Sequence, residues 1–199
     1  MKRIVISLFF LSSLIFSPAC NSSGEKQNEE AQSDKTEVVD LSVLNMNNLL
    51  KEIKKREKEL EEKGNGLNNG RGIKLMRAYA AFGERFGNRA AAPDYLYKAG
   101  EMAMAFELPA EAIRYFDRVY NQYPDFKKRP YVLFLRAFVL ENQTKNYEEA
   151  KRLYEKFIME YPTHEMVDDA VYSIENMGKS PEELIREFER QDSIKKASA

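Results

Sequence analysis

Histidine and cysteine, the side chains that most often carry catalytic or metal chemistry, occur once each in this sequence of 199 residues, as His164 and Cys20. A zinc site needs several such ligands, and a nucleophilic triad needs a histidine beside its nucleophile and a third group to orient it. One residue of each type supplies neither arrangement. We therefore predict that the protein is not an enzyme and that it uses no metal and no cofactor. His164 is expected to be a surface or capping residue.

The charge of the chain also limits its partners. Lys and Arg number 31 and Asp and Glu 32, which gives a formal net charge of −1. A nucleic-acid-binding protein normally carries a surplus of positive charge on one face or along one helix. We therefore predict no nucleic-acid partner, and we assign most of the carboxylates to solvated helix faces.

The N-terminus has the pattern of an export signal. Lys2 and Arg3 precede an apolar stretch of 13 residues, 4–16, and the small residues Ser17, Pro18 and Ala19 lead to Cys20. An apolar stretch of this length is too short to span a bilayer as a helix but is typical of a signal peptide. We therefore predict that residues 1–19 are removed.

This signal resembles that of bacterial lipoproteins. The resemblance implies cleavage before Cys20, lipidation of its thiol and N-terminal acylation with chains such as palmitate. Asn21 in place of an aspartate implies the outer membrane, with the protein facing the periplasm. The alternative is an ordinary secretory signal cut near Ala19, which leaves a free thiol. A lone thiol is a liability in an oxidising compartment, so lipidation is favoured.

The mature chain is predicted to begin with a disordered tether, residues 20–40, which has no aromatic and few aliphatic side chains. A helix follows over about 41–63, capped by Asp40 or Ser42. We interpret it as a solenoid helix in preference to a short coiled coil. After a glycine-rich turn, 64–72, a helix is predicted over 73–86, and residues 41–87 read as a degenerate repeat.

Two stretches, 93–125 and 130–163, repeat the same pattern. Pro93 is matched by Pro130 and Ala112 by Ala150, at an offset of 37 to 38 residues. A fixed period of this length is typical of a helical-repeat array. Prolines at helix starts and after helix ends predict helices over 93–106, 109–122, 130–142 and 147–160.

Small residues stand at Gly100 and Ala137 in the first helix of each repeat and at Ala112 and Ala150 in the second, where an aromatic residue, Phe116 or Tyr154, follows the alanine by four positions. This pattern resembles the tetratricopeptide repeat. The resemblance implies an all-α solenoid of about three hairpins, residues 41–199. Capping helices over 164–197 end it, the first capped by Thr163 and the second by a Ser180–Glu183 capping box.

In that family the first helices of the repeats line a concave surface that binds segments of partner proteins. The resemblance places six residues in this groove: Tyr97, Glu101, Met104, Phe134, Phe138 and Glu141. Tyr97 and Phe134 either form an aromatic track on that surface or pack against a neighbouring helix. In the first case, replacing both with alanine leaves thermal stability nearly unchanged.

These features together predict an adaptor lipoprotein, a scaffold in envelope biogenesis. The combination of a lipoprotein signal, a tether and repeats resembles the tetratricopeptide-repeat lipoprotein subunit of the outer-membrane β-barrel assembly machinery. An alternative resemblance is to the periplasmic tetratricopeptide protein associated with the Tol–Pal system, which would oligomerise through residues 41–63. A surface-exposed binding lipoprotein is a further, less favoured alternative.

The lipidation hypothesis is tested by growing cells with an alkyne-tagged fatty acid and measuring label on the protein. We expect the wild-type chain to be labelled and Cys20→Ala to be unlabelled, since the substitution removes the acceptor thiol. Equal labelling of both chains would contradict the assignment of Cys20.

Overall fold

Every regular element in the part of the chain that the structure describes is an α-helix. The computed structural model describes residues 39–62 and 70–197, so the predicted leader, Cys20 and the tether up to residue 38 lie outside it. The helices confirm the predicted all-α class. They are α1 (Met46–Glu62), α2 (Arg71–Arg85), α3 (Ala92–Ala105), α4 (Pro109–Gln122), α5 (Arg129–Asn142), α6 (Tyr147–Glu160), α7 (Val167–Asn176) and α8 (Pro181–Ala197).

Each helix from α1 to α6 packs against the next one along the chain. The short connections between them favour antiparallel neighbours, so the helices form successive hairpins. Helix α3 is covered by both α2 and α4, and α5 by both α4 and α6. This is a tetratricopeptide-like helical solenoid, as predicted. Helix α8 differs from the others, because it does not pack closely along any of them.

The two clear repeats have the predicted helices. Helices α4 and α6 have the predicted bounds, and α3 and α5 each begin one residue before the proline that was expected to open them. Asn146 caps α6, since its side chain accepts a hydrogen bond from the backbone N–H of Glu149 at 3.3 Å.

The first helix starts later than predicted. It begins at Met46, and its cap is Asn45, whose Oδ1 accepts a hydrogen bond from Asn48 N–H at 2.9 Å. Asp40 accepts instead from the N–H and hydroxyl of Ser42, at 2.9 and 2.7 Å. These local bonds hold the segment in a turn, which explains why neither residue caps the helix.

The start of α7 was also predicted too early. The helix begins at Val167, and Thr163 lies in a turn rather than at a cap. His164 lies in the same turn, where its Nδ1 accepts a hydrogen bond from the N–H of Met166 at 3.3 Å. Its ring lies edge-on to that of Tyr131, with 4.7 Å between centroids. His164 is therefore a half-buried residue that orders this turn.

The capping box before α8 is confirmed. Ser180 N–H donates to Glu183 Oε2 at 2.7 Å, and Glu183 N–H donates to Ser180 Oγ at 3.2 Å. These bonds hold the pKa of the Glu183 carboxyl below its usual value. Gly178 has a φ of +77°, a conformation that glycine adopts without strain after a helix end.

Within the first repeat, α3 and α4 approach each other at Gly100. A Cβ atom added there would lie 2.4 Å from a ring carbon of Phe116, so no larger residue fits without movement of that ring. Phe116 is fully buried, as is Tyr154 at the equivalent place in α6. Burying such a side chain contributes about 1.5–3 kcal/mol to stability.

A polar cluster around Tyr120 joins the first repeat to the second. The Tyr120 hydroxyl donates to Glu160 Oε2 at 2.6 Å, and Arg129 and Lys156 lie over its ring at 4.0 and 4.8 Å from the centroid. Arg129 also donates to the Tyr161 hydroxyl at 2.8 Å. Burial and the bond to Glu160 raise the pKa of Tyr120 to about 12, so this hydroxyl is a neutral donor at neutral pH.

Substituting Gly100→Val tests the close approach of α3 and α4. We expect a loss of about 1–3 kcal/mol in the free energy of unfolding, because the added methyl groups displace Phe116 from a filled core. Chemical denaturation followed by circular dichroism measures it. Ala105→Val, at an exposed position of the same helix, is the control and should cost much less. Equal losses would show that the space at Gly100 is not limiting.

Candidate functional site

The six predicted groove residues lie on two helices that occupy equivalent places in the repeats. Helix α3 carries Tyr97, Glu101 and Met104, and α5 carries the other three. Spacings of four and three residues put each set on one face of its helix. The structure does not, however, place all six at the surface.

Tyr97 and Phe134 lie in the interior, each with 6% of its surface exposed. The Tyr97 ring is 6.2 Å from that of Phe116 and 6.1 Å from that of Phe126, and Lys128 Nζ lies 4.4 Å from its centroid. Burial raises the pKa of the Tyr97 phenol, and the neighbouring carboxylate of Glu101 raises it further.

Phe134 has a similar environment in the second repeat. Its ring is 5.3 Å from that of Tyr154 and 5.7 Å from that of Phe157, both on α6. Of the two alternatives left open by the sequence, internal packing is therefore the one observed for both residues. The two rings form no exposed aromatic track.

The other four residues are more accessible. Phe138 has 37% of its surface exposed, while Glu101, Met104 and Glu141 are half-buried. Glu141 is engaged internally, because its Oε2 accepts a hydrogen bond from the Tyr154 hydroxyl at 2.8 Å. Glu101, Met104 and Phe138 remain as the accessible members of the predicted set, and their role in binding stays a prediction.

Two further residues belong to the same helix faces. Asp94 and Tyr131 lie three residues before Tyr97 and Phe134, a spacing that repeats along one side of a helix. Asp94 is exposed, and the Tyr131 hydroxyl donates a hydrogen bond to Glu165 in the turn before α7. The spacing that identified the predicted residues would have identified these two if it had been extended towards the helix starts.

Lys98 was also missed. Its Nζ lies 3.6 Å from Glu57 on α1, and 5.1 and 5.7 Å from the ring centroids of Tyr79 and Tyr95. Tyr95 lies on the same helix as Lys98, but Glu57 and Tyr79 lie on α1 and α2. Sequence periodicity within one helix does not reveal partners on other helices.

A cavity of about 540 Å³ opens beside these faces, at the start of α3 and along the connection between α4 and α5. Its lining combines apolar side chains with acidic and basic ones. The lining residues are Ala90, Pro93, Asp94, Gln122, Tyr123, Pro124, Asp125, Phe126, Lys127 and Lys128. Phe126 and Lys128 also contact Tyr97, so the cavity adjoins the buried side of the candidate site.

The described residues contain neither a cluster of metal ligands nor a helix that could span a membrane. Within 39–62 and 70–197, no three His, Cys, Asp or Glu residues are grouped so as to hold a metal ion. Over the same ranges, none of the helices has both the length and the apolar character needed to cross a bilayer.

The comparison with protein families identifies the repeated unit. The family model described as tetratricopeptide repeat matches residues 94–125 and 131–164. These two ranges cover the helix pairs α3–α4 and α5–α6. A comparison with curated proteins gave no match.

The internal packing of Tyr97 and Phe134 leads to a stability prediction. We expect Tyr97→Ala and Phe134→Ala each to lower the free energy of unfolding by about 3–5 kcal/mol, because each leaves a cavity in the core. Thermal and denaturant unfolding measure the loss. Phe138→Ala is the matched control and should change stability little, since its ring is partly solvated. Unchanged stability in the first two variants would contradict the burial of both rings.

Proposed function

Because the chain carries two tetratricopeptide repeats, we propose that it is an adaptor that binds partner proteins on the face shared by α3 and α5. The observation that carries this proposal is the coincidence of the two family matches with two complete helix pairs. Such repeats typically serve as protein-interaction scaffolds, because their stacking creates an extended surface without catalytic groups.

The accessible residues suggest the chemistry of the partner segment. Phe138 offers an apolar contact on α5, and Glu101 offers a carboxylate on α3. A segment that combines an apolar side chain with a basic one fits both. Tyr97 and Phe134 act behind this surface, where their packing fixes the positions of the two helices. A rigid scaffold lowers the entropy cost of binding.

The cavity next to α3 extends the same surface. Its volume of about 540 Å³ lies within the range of pockets that hold small ligands or a few side chains. Asp94, Asp125, Lys127 and Lys128 all line the cavity, so charges of both signs are available. This mixture suits a peptide, which carries donors and acceptors along its backbone, better than a single ion.

We place this adaptor in the bacterial envelope, on the strength of the N-terminal sequence. Lys2, Arg3, the apolar stretch 4–16 and Cys20 support a lipid anchor, with the periplasmic side of the outer membrane as the proposed location. A role in assembling outer-membrane proteins follows from the resemblance of this combination to the lipoprotein subunit of the β-barrel assembly machinery.

The packing of α1 bears on the alternative, a Tol–Pal-type coordinator that oligomerises through residues 41–63. Leu49 and Ile53 on the apolar side of α1 are buried, and α1 packs against α2 of the same chain. Glu57 of α1 also lies 2.7 Å from the Tyr79 hydroxyl, from which it accepts a hydrogen bond. A coiled coil through residues 41–63 would have to displace these contacts. We therefore favour the adaptor in outer-membrane protein assembly over the Tol–Pal-type coordinator.

Site-specific photocrosslinking in cells tests the proposed face. A photoreactive amino acid at position 138 should capture a partner protein, because Phe138 lies at the proposed contact. The same amino acid at position 159 is the control, since Met159 is exposed on α6, away from α3 and α5. Mass spectrometry identifies what is captured, and Glu101→Lys should weaken capture from position 138.

Equal capture from both positions, or capture from neither, would contradict binding at this face. Recovery of subunits of the β-barrel assembly machinery would support the proposed process. Capture of an unrelated envelope protein would support the adaptor function but contradict a role in outer-membrane protein assembly.

A further inference from the structure

The two complete repeats have equivalent turns after their second helices. In the turn after α4, Phe126 N–H donates to the carbonyl three residues before it at 3.1 Å, and in the turn after α6 His164 N–H does the same at 3.0 Å. Phe126 and His164 are therefore counterparts, 38 residues apart. Asp94 near the start of α3 and Tyr131 near the start of α5 are counterparts at an offset of 37 residues.

In the second repeat an aromatic ring joins the start of the first helix to this turn. The Tyr131 ring lies edge-on to that of His164, with 4.7 Å between centroids, and its hydroxyl donates a hydrogen bond to Glu165. Tyr131 belongs to α5, whereas His164 and Glu165 follow α6. The space between helix start and turn is thus occupied by a phenol of the same chain.

In the first repeat the corresponding place is open. Asp94 stands where the second repeat has Tyr131, and its side chain is exposed. A carboxylate is shorter than a phenol and has no ring to pack against Phe126. Asp94 and Phe126 both line the cavity of about 540 Å³. The cavity therefore lies where the second repeat places an aromatic side chain.

The polar groups of the cavity fit a phenol better than a plain aromatic ring. Lys127 stands where the second repeat has Glu165, and both Lys127 and Asp125 line the cavity. An ammonium group only donates hydrogen bonds and an ionised carboxylate only accepts them, whereas a phenol hydroxyl does both. A tyrosine side chain can therefore bond to either residue, and a phenylalanine side chain to neither.

The undescribed parts of the predicted mature chain contain no ring for this cavity. All 11 tyrosines lie between residues 79 and 172, within the described ranges. Segments 20–38 and 63–69 have no aromatic residue, and Phe9, Phe10 and Phe16 belong to the predicted leader. A ring that fills the cavity therefore comes from another molecule.

We propose that this cavity binds a tyrosine side chain of the partner segment. Its ring packs on Phe126 as the ring of Tyr131 packs on His164, and its hydroxyl accepts a hydrogen bond from the Lys127 ammonium. The source of the tyrosine rests on the proposed function, because the cavity extends the face of α3 and α5. Tyrosine is one of the residues that most often anchor a protein interface in a pocket.

A soluble tyrosine analogue tests the site on the full-length protein purified in detergent. N-acetyl-L-tyrosinamide is titrated while NMR follows the backbone N–H signals of Phe126 and Lys128. We expect shifts that saturate, and N-acetyl-L-leucinamide should bind about tenfold or more weakly because it has no ring to pack on Phe126. Absence of a saturable shift, or equal affinity for the two analogues, would overturn the proposal. Equal affinity for N-acetyl-L-phenylalaninamide would overturn the choice of tyrosine.

Filling the cavity from within the chain tests where the analogue binds. Asp94→Tyr places a ring at the position equivalent to Tyr131 and should weaken binding of N-acetyl-L-tyrosinamide about tenfold or more, since the space is then occupied. Asp94→Asn is the matched control, because it removes the same charge but leaves the cavity open, and it should retain the affinity. Position 94 is exposed, and thermal unfolding checks that both variants are folded. Unchanged affinity in Asp94→Tyr would overturn the proposal.

The same two variants in cells separate this inference from the proposed function. Asp94→Tyr should lower partner capture from position 138 about tenfold, because the partner loses an anchor, and Asp94→Asn should not. Equal capture in Asp94→Tyr and wild type would overturn the tyrosine site and leave the proposed face intact. Absence of capture in wild type, together with analogue binding that Asp94→Tyr abolishes, would contradict the proposed function and support the site.

The captured molecule gives a last check on the occupant. Mass spectrometry of the product formed at position 138 should identify a partner segment that contains a tyrosine. A segment without tyrosine, or a second copy of this chain, would overturn the proposal.

Discussion

The structure depends on the close approach of two helices within each repeat. At the crossing of α3 and α4, the backbone of Gly100 lies against the ring of Phe116, with no room for a Cβ atom. The Phe116 ring is thereby buried away from water, and the hydrophobic effect of this burial stabilises the packing of α3 against α4. Ala137 and Tyr154 occupy the same places in the second repeat, and both are fully buried. The small residue in the first helix and the aromatic residue in the second recur in both repeats because both crossings have this packing requirement.

The same requirement limits where a partner can bind. An aromatic ring that fills the space between helices cannot also present its face to a ligand. Tyr97 and Phe134 contact Phe116 and Tyr154 respectively, so they belong to the packing of the repeat. Accessible groups are found further along the same helix faces, at Glu101 and Phe138. The buried rings can serve the proposed binding face only by holding those helices in place.

Much of the fold could be predicted from the sequence because its local signals agree with its tertiary packing. Pro109 opens α4 and Asn146 caps α6, and both helices have the predicted bounds. The start of α1 was predicted wrongly because the Asp40 side chain accepts a hydrogen bond from the nearby Ser42 N–H instead of capping the helix. The exposure of the candidate face was harder to predict, because α3 and α5 are each covered on two sides. Periodicity identifies residues that share a helix face, but not how much of that face the neighbouring helices cover.

The two ends of the described array differ in how they are closed. At the start, Leu49 and Ile53 of α1 are buried, and Arg85 of α2 donates hydrogen bonds to the carbonyls of Leu41 and Leu44, the latter at 2.7 Å. At the other end, α7 and α8 leave apolar positions open. Glu175 and Leu184 stand where the earlier crossings have small residues, and α8 correspondingly lacks the close packing that joins the other helices.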